Sequence, residues 1–142
     1  MKKTFVKKIL LYVILLMCFT SCGNKVINGI EVSELLLIVS EEQNIDYCRL
    51  LNEAVKGDDA SIKQLALLEI YDGAGYDHGA VVVDLIALIG EDKFIHSIKT
   101  ISIEQKKWIK GYIEVGLEYG NNTNLQAQTF KEVFPKIYDF LN

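Results

Sequence analysis

Residues 71–79, with the sequence YDGAGYDHG, are the densest group of chemically active side chains in this 142-residue chain. Asp72, Asp77 and His78, with Glu69 just before them, could ligate a metal ion or perform acid–base chemistry. Their spacing fits no known ligand set, because the sequence has no HExxH motif, no cysteine–histidine pair and no EF-hand alternation of acids. We therefore predict no metal site and no cofactor here.

The same stretch predicts a sharp turn between two helices. Gly73 and Gly75 can adopt a positive φ without steric penalty, and Asp77 stands where the N-cap of the next apolar run is expected. This structural interpretation accounts for every residue of the stretch. A loop that contacts a partner through Asp72, Asp77 and His78 is the alternative. With the structural interpretation, we expect the replacement of His78 by alanine to have little effect.

Other candidate residues are explained more simply by packing. Trp108, Tyr112 and Tyr119 share one helix face and could stack on a sugar or a peptide, but a stripe between helices accounts for them. Cys48 lies beside an apolar helix face and is predicted to be a small buried residue. His96 is predicted to be solvated. The sequence has no GxSxG motif and no cysteine with a plausible histidine base, so we predict that the protein is not an enzyme.

Two acidic pairs, Asp58-Asp59 and Glu91-Asp92, stand at equivalent helix starts. Acidic residues there suit the positive end of the helix dipole. If the two helices stack in register, the pairs would lie along one edge and form a negative ridge that steers a basic partner. These four residues are therefore candidate partner contacts, and a solvated edge is the alternative.

The charge of the chain excludes one class of partner. The first 21 residues hold four of the 15 basic residues and none of the 19 acidic ones, so the net charge without them is −8. A charge of this sign opposes binding to nucleic acid and broad adsorption to anionic membranes.

The N-terminus has the pattern of an export signal. Four lysines in the first eight residues precede residues 9–19, which are apolar and uncharged. That run is too short to span a bilayer, which needs about 20 residues. We predict that residues 1–21 are a signal peptide that is removed.

Residues 19–22, with the sequence FTSC, resemble the lipobox of bacterial lipoproteins. Phe19 departs from the leucine that the family prefers. Cys18 is a rival site, but it follows the bulky Met17, so the resemblance favours Cys22. The resemblance implies that Cys22 carries diacylglycerol and anchors the protein in the bacterial cell envelope. Gly23, where aspartate would favour the inner membrane, implies the outer membrane facing the periplasm.

The remaining chain predicts one all-α domain. Residues 22–31 are predicted to be a loose lipidated tether, and residues 32–142 a single domain of stacked helical hairpins, either α-solenoid-like or an irregular bundle. Gly57, Gly90 and Gly120, spaced by 33 and 30 residues, are each followed by two acidic or amide residues. Each would end one helix and begin the next, which resembles a short solenoid of the HEAT or tetratricopeptide kind.

Capping residues predict the boundaries of the earlier helices. Residues 32–39 suit a buried strand as well as a helix, and Ser33 as a possible cap favours the helix. Asn44 is predicted to cap a helix that ends at Gly57. The following helix is predicted to begin at Asp58 or Asp59 and to run to Tyr71.

The later helices are predicted in the same way. Residues 81–89 predict a central helix, with a parallel strand as the alternative. The sequence SIEQ at 102–105 is a capping box. Gly111 and Gly116 inside the helix that follows indicate close approach of a neighbouring helix. Pro135 predicts a kink or a new helix start.

These features favour a non-catalytic module that binds another protein. A small, exported, all-helical protein resembles, in size, location and style, the immunity proteins that neutralise toxins delivered to the envelope. An envelope scaffold or assembly lipoprotein is one alternative. An enzyme that uses residues 71–79 is another.

Overall fold

A computed structural model of the protein describes residues 24–125 and 127–142. The predicted signal peptide and Cys22 lie outside these residues. The described part contains two short strands and eight helices, so the predicted all-α class is confirmed as a mostly helical domain with one small two-stranded sheet. In chain order they are β1 (Lys25–Ile27), β2 (Ile30–Val32), α1 (Glu34–Glu42), α2 (Tyr47–Val55), α3 (Asp59–Ala66), α4 (Asp72–Ile89), α5 (Glu91–Ile98), α6 (Ile103–Tyr119), α7 (Phe130–Val133) and α8 (Pro135–Leu141).

The two strands form a hairpin where a loose tether was predicted. β1 and β2 pair antiparallel around Asn28 and Gly29, whose φ values of 50° and 87° are the positive values that a tight hairpin turn requires. Ile30 and Val32 point inward and are buried, whereas Glu31 between them is exposed. The tether prediction is therefore wrong from Lys25 onward, because an Asn-Gly turn with an alternating strand after it was overlooked.

Several predicted helix starts are confirmed. The Ser33 hydroxyl accepts a hydrogen bond from the Leu36 amide at 3.1 Å and caps α1, so residues 34–39 are helical. Asp58 caps α3. The capping box predicted for residues 102–105 opens α6. Pro135 is the first residue of α8, directly after the short α7.

Two boundaries of the earlier helices differ from the prediction. Asp46, and not Asn44, caps α2, since its carboxylate accepts from the Arg49 amide at 2.9 Å. α3 ends at Ala66 instead of continuing to Tyr71. The residues that follow, 67–71, form an irregular segment, in which a distant side chain binds backbone groups of Leu68 and Ile70, as described below.

The predicted turn at residues 71–79 is wrong. α4 begins at Asp72 and continues without a break to Ile89, so the glycines are inside its first turns. The chain changes direction at Asp72, which has a φ of 53°, while Gly73 and Gly75 have helical backbone without positive φ. A Cβ on Gly75 would lie 2.9 Å from the Ile70 carbonyl oxygen, so this glycine permits contact and not a turn.

Helices α4 and α6 form the centre of the domain and touch backbone to backbone. A Cβ on Gly116 would lie 2.1 Å from the Gly79 carbonyl oxygen, and one on Gly79 would lie 2.6 Å from the Tyr112 carbonyl oxygen. The predicted close approach is therefore confirmed at Gly116. It is wrong at Gly111, where an added Cβ would meet nothing within 4 Å.

The predicted repeat is only partly followed by the fold. Gly57 and Gly90 each precede a helix, and the two helices that follow them, α3 and α5, pack together as stacked hairpins require. Gly120 ends α6, but no helix begins directly after it, since α7 starts at Phe130.

None of the described helices combines the length and the apolar character needed to cross a membrane.

Candidate functional site

The candidate residues of the 71–79 stretch do not converge on one cavity. Asp72 is exposed at the start of α4. Asp77 is half-buried and accepts a hydrogen bond from the Ser33 hydroxyl at 2.5 Å, which joins α4 to the cap of α1. His78 is fully buried. Among the described residues, no three His, Cys, Asp or Glu side chains are grouped so that they could hold a metal ion.

His78 lies in the core of the domain and cannot contact a partner. Its Nδ1 lies 2.8 Å from the Tyr47 hydroxyl, and its ring stacks edge-to-face on Tyr112 with centroids 4.7 Å apart. Burial lowers the pKa of His78 to about 4, although the nearby Leu65 carbonyl opposes that shift without making a hydrogen bond of good geometry. The alternative of a partner-contacting loop requires His78 at the surface, whereas its position on α4 turns it inward.

The acidic pairs at the starts of α3 and α5 are engaged in local contacts. Asp59 accepts a hydrogen bond from the Lys93 ammonium at 2.9 Å, and this bond lowers the pKa of Asp59. Asp92 forms an ion pair with Lys136 at 2.7 Å. Asp58 caps α3, and Glu91 accepts from the Ile137 amide at 2.9 Å. α3 and α5 do pack side by side, but these lysines offset the charge of the predicted ridge, and partner contact there stays a prediction.

The structure instead brings aromatic residues together in a groove between the start of α4 and the middle of α6. The groove has a volume of about 460 Å³. We call it the aromatic groove and define it by Tyr71, Tyr76, Lys107, Trp108, Gly111 and Tyr112. Tyr71 and Tyr76 are 57% and 49% exposed, which is high for aromatic residues. Gly111 lines this groove, which explains why no helix contacts it.

Tyr112 holds the irregular segment against α6. Its hydroxyl accepts a hydrogen bond from the Ile70 amide at 3.0 Å and lies 2.9 Å from the carbonyl oxygens of Leu68 and Ile70, to which it can donate. Burial raises the pKa of Tyr112. Buried backbone groups outside a helix need such partners. The segment that ends at Tyr71 is therefore fixed in place by a side chain that lies 42 residues after Ile70 in the chain.

The rings of the groove continue a row that begins in the core. Edge-to-face contacts join Tyr47 to His78, His78 to Tyr112, Tyr112 to Trp108 and Trp108 to Tyr71. The last two contacts have centroid distances of 5.9 Å and 5.6 Å. We call these five rings the aromatic row. Because each ring packs on the next, the exposed Tyr71 is supported by the half-buried Trp108, which itself packs on the buried Tyr112.

Sequence reasoning found only part of this site. The stacking surface of Trp108 and Tyr112 was visible as a stripe at helical spacing, and Tyr119 does contact the groove through its edge-to-face pair with Tyr76. Tyr71 and Tyr76 were assigned to a turn. A helix predicted over residues 72–79 would have placed Tyr76 one turn from Asp72. The local sequence, however, did not indicate that α4 and α6 are neighbours.

Comparison with known proteins gives no further guide to this site. No protein-family model matches the chain. No curated protein and no solved structure matches it significantly. The function is therefore argued from the geometry of the aromatic groove.

Proposed function

We propose that the protein is a non-catalytic binding module, held in the bacterial envelope by a lipid on Cys22, and that a segment of another protein docks in the aromatic groove. The observation that supports this proposal is the pair of exposed tyrosines, Tyr71 and Tyr76, beside Trp108. Tyrosine and tryptophan dominate binding energy at protein interfaces, since they offer a large contact area with few rotatable bonds.

The surroundings of the groove also suit a protein partner. Asp72 and Lys107 flank the rings with opposite charges, so an apolar centre has a polar rim, as protein interfaces have. The aromatic row fixes the rings before binding. Preformed side chains lose little conformational entropy when the partner docks.

The groups around the groove favour binding over catalysis. Burial raises the pKa of Tyr112, and the hydrogen bond to Glu69 raises the pKa of Tyr71, so neither phenol is a base near neutral pH. The only histidine near these rings, within the described residues, is His78, which is fully buried.

A lipid on Cys22 would hold the domain close to the membrane. Because β1 begins at Lys25, the link from Cys22 is three residues long, which spans about 10 Å when extended. Replacing Cys22 by alanine is expected to leave an uncleaved precursor that no longer incorporates a fatty-acid probe. A Cys22→Ala protein that still incorporates the probe contradicts the anchor.

The docking site is tested by photo-crosslinking in the native cells. The photoreactive residue p-benzoylphenylalanine replaces Lys107, which lines the groove, or Lys99, which is also exposed but lies at the end of α5. We expect a discrete protein adduct from position 107, lost when Trp108→Ala is added, and no such adduct from position 99. The identified partner should then bind the purified protein directly, and more weakly after Tyr71→Ala. No adduct at position 107, or the same adducts from both positions, contradicts the proposal.

A further inference from the structure

A second cavity is lined by Tyr71 and Trp108, so these two side chains border both this cavity and the aromatic groove. It has a volume of about 470 Å³. Glu69 from the irregular segment and Glu104 from the first turn of α6 line it, and we call it the acidic pocket. A ligand that occupies the groove can therefore extend over the same two rings into a negatively charged space.

The two carboxylates of the acidic pocket lack a basic partner. Within residues 24–125 and 127–142, no lysine, arginine or histidine nitrogen lies within 4.0 Å of Glu69 or Glu104. Other acids of the domain differ, since Asp59 and Asp92 are paired with lysines. Lys107 lines the aromatic groove and is not among the residues around the acidic pocket.

Glu69 is held beside the rings by a hydrogen bond. The Tyr71 hydroxyl donates to its Oε2 at 3.0 Å, which leaves its other oxygen to accept from a ligand. The rings of Tyr71 and Trp108 meet at 86°, so they form a corner with aromatic faces on different sides. A carboxylate close to aromatic rings is an arrangement that can bind an ammonium or a guanidinium group, through charge-assisted hydrogen bonds and cation–π attraction.

We propose that the acidic pocket binds a basic side chain, arginine in particular, of the partner segment that docks in the aromatic groove. This inference rests on the proposed function and names the chemistry of its partner. Arginine fits better than lysine, because its planar guanidinium can lie on a ring while its edge donates two hydrogen bonds to a carboxylate. The net charge of −8 outside the first 21 residues attracts such a partner at long range.

Trp108 is the only tryptophan of the chain, so its fluorescence reports on both cavities directly. The protein is purified from its native cells in a neutral polyoxyethylene detergent and titrated with acetylated, amidated tri-arginine. Tri-citrulline, which has the same shape without the charge, is the control peptide. We expect a saturable change in Trp108 emission with tri-arginine, at least tenfold weaker binding of tri-citrulline, and weaker tri-arginine binding at 0.15 M salt than at about 0.01 M.

Two double variants test whether tri-arginine binds in the acidic pocket. Glu69→Gln combined with Glu104→Gln should weaken tri-arginine binding at least tenfold. The matched control combines Glu42→Gln with Glu114→Gln, two exposed acids that line neither cavity, and should change it less than twofold. Both double variants remove the same charge, so a difference between them reports the position of the charge and not the total. Circular dichroism confirms that each is folded.

Three outcomes overturn the inference. They are equal binding of tri-citrulline, equal effects of the two double variants, and a Trp108 response to the neutral sugar triacetylchitotriose in place of tri-arginine. If the Lys107 position still crosslinks a partner while any of these holds, only the basic-group inference fails. If crosslinking and the Trp108 response are both absent, the proposed function fails with it.

Discussion

Two glycines on α6, five residues apart, have opposite roles. At Gly116 the backbone of α6 touches α4, and a Cβ would lie 2.1 Å from the Gly79 carbonyl oxygen. Gly111 lies on another side of α6, where a Cβ would meet nothing within 4 Å. The same residue type therefore closes the interface at Gly116, which we call the closed end, and lines the aromatic groove at Gly111, which we call the open end. The role of a glycine in a helix therefore depends on what lies next to it in the fold, and not on the helix that contains it.

The largest expected effect is at the closed end. Gly116→Ala forces a Cβ against the backbone of α4, so we expect the free energy of unfolding to fall by about 3 kcal/mol, the upper end of the usual cost of overpacking. Gly111→Ala is the matched control and should stabilise the protein by up to about 1 kcal/mol, since alanine favours a helix. Urea unfolding followed by circular dichroism measures both. Equal changes in the two variants would contradict the distinction between the two ends.

The second prediction concerns His78, which lies next to Gly79 at the closed end. The pKa of His78 is about 4 in the folded protein and 6.5 in the unfolded chain. Between pH 6.5 and pH 4, His78 is therefore mostly protonated in the unfolded chain and mostly neutral in the folded protein. The stability that neutral His78 contributes is fully present above pH 6.5 and is lost as the pH falls toward 4. At pH 5 the free energy of unfolding should have fallen by about 2 kcal/mol.

The control for this pH dependence is His78→Gln. The variant should be less stable than the wild type at pH 7, because it disturbs the contact with Tyr47, which corrects the expectation that replacing His78 has little effect. Its free energy of unfolding should fall less between pH 7 and pH 5, because glutamine has no group that titrates there. The carboxylates titrate alike in both proteins, so they do not contribute to the difference. Parallel pH profiles of unfolding would show that His78 is not buried in its neutral form.

The third prediction concerns Tyr112, which joins the closed end to the groove. Tyr112→Phe leaves the Ile70 amide and nearby carbonyls without their partner, which should cost about 1–3 kcal/mol. Tyr76→Phe removes the same hydroxyl from a ring that is 49% exposed and should change stability by less than about 0.5 kcal/mol. Thermal unfolding compares them. A Tyr112→Phe protein as stable as Tyr76→Phe would mean that the irregular segment does not depend on this hydroxyl.

The smallest effect on stability is expected at the open end. Tyr71→Ala removes an exposed ring and one edge-to-face contact with Trp108, worth about 0.5–1.5 kcal/mol at most. Its fluorescence should nevertheless change clearly, since Trp108 becomes more exposed to water and its emission shifts to longer wavelength. An unchanged emission maximum would mean that Tyr71 does not cover Trp108 in solution.

Local sequence patterns predicted much of the helical framework. Ser33, Asp58 and the capping box at 102–105 act on amides three residues away, and Pro135 acts on its own backbone. Such interactions are complete within one helical turn, so the sequence contains all the information they need. The hairpin turn at Asn28-Gly29 is equally local and could have been predicted from its two residues.

The aromatic groove could not be predicted in this way, because the residues that form it are distant in sequence. Glycines at residues 73–79 favour a turn in isolation, and a helix there is stable because Gly75 and Gly79 let Ile70 and α6 approach. The sequence by itself determined where most helices begin and that the domain is helical. Tertiary structure alone decided that α4 and α6 meet at Gly79 and Gly116, that His78 is buried, and that Tyr71 stands beside Trp108. Packing of distant segments determines these features, and no local preference encodes it.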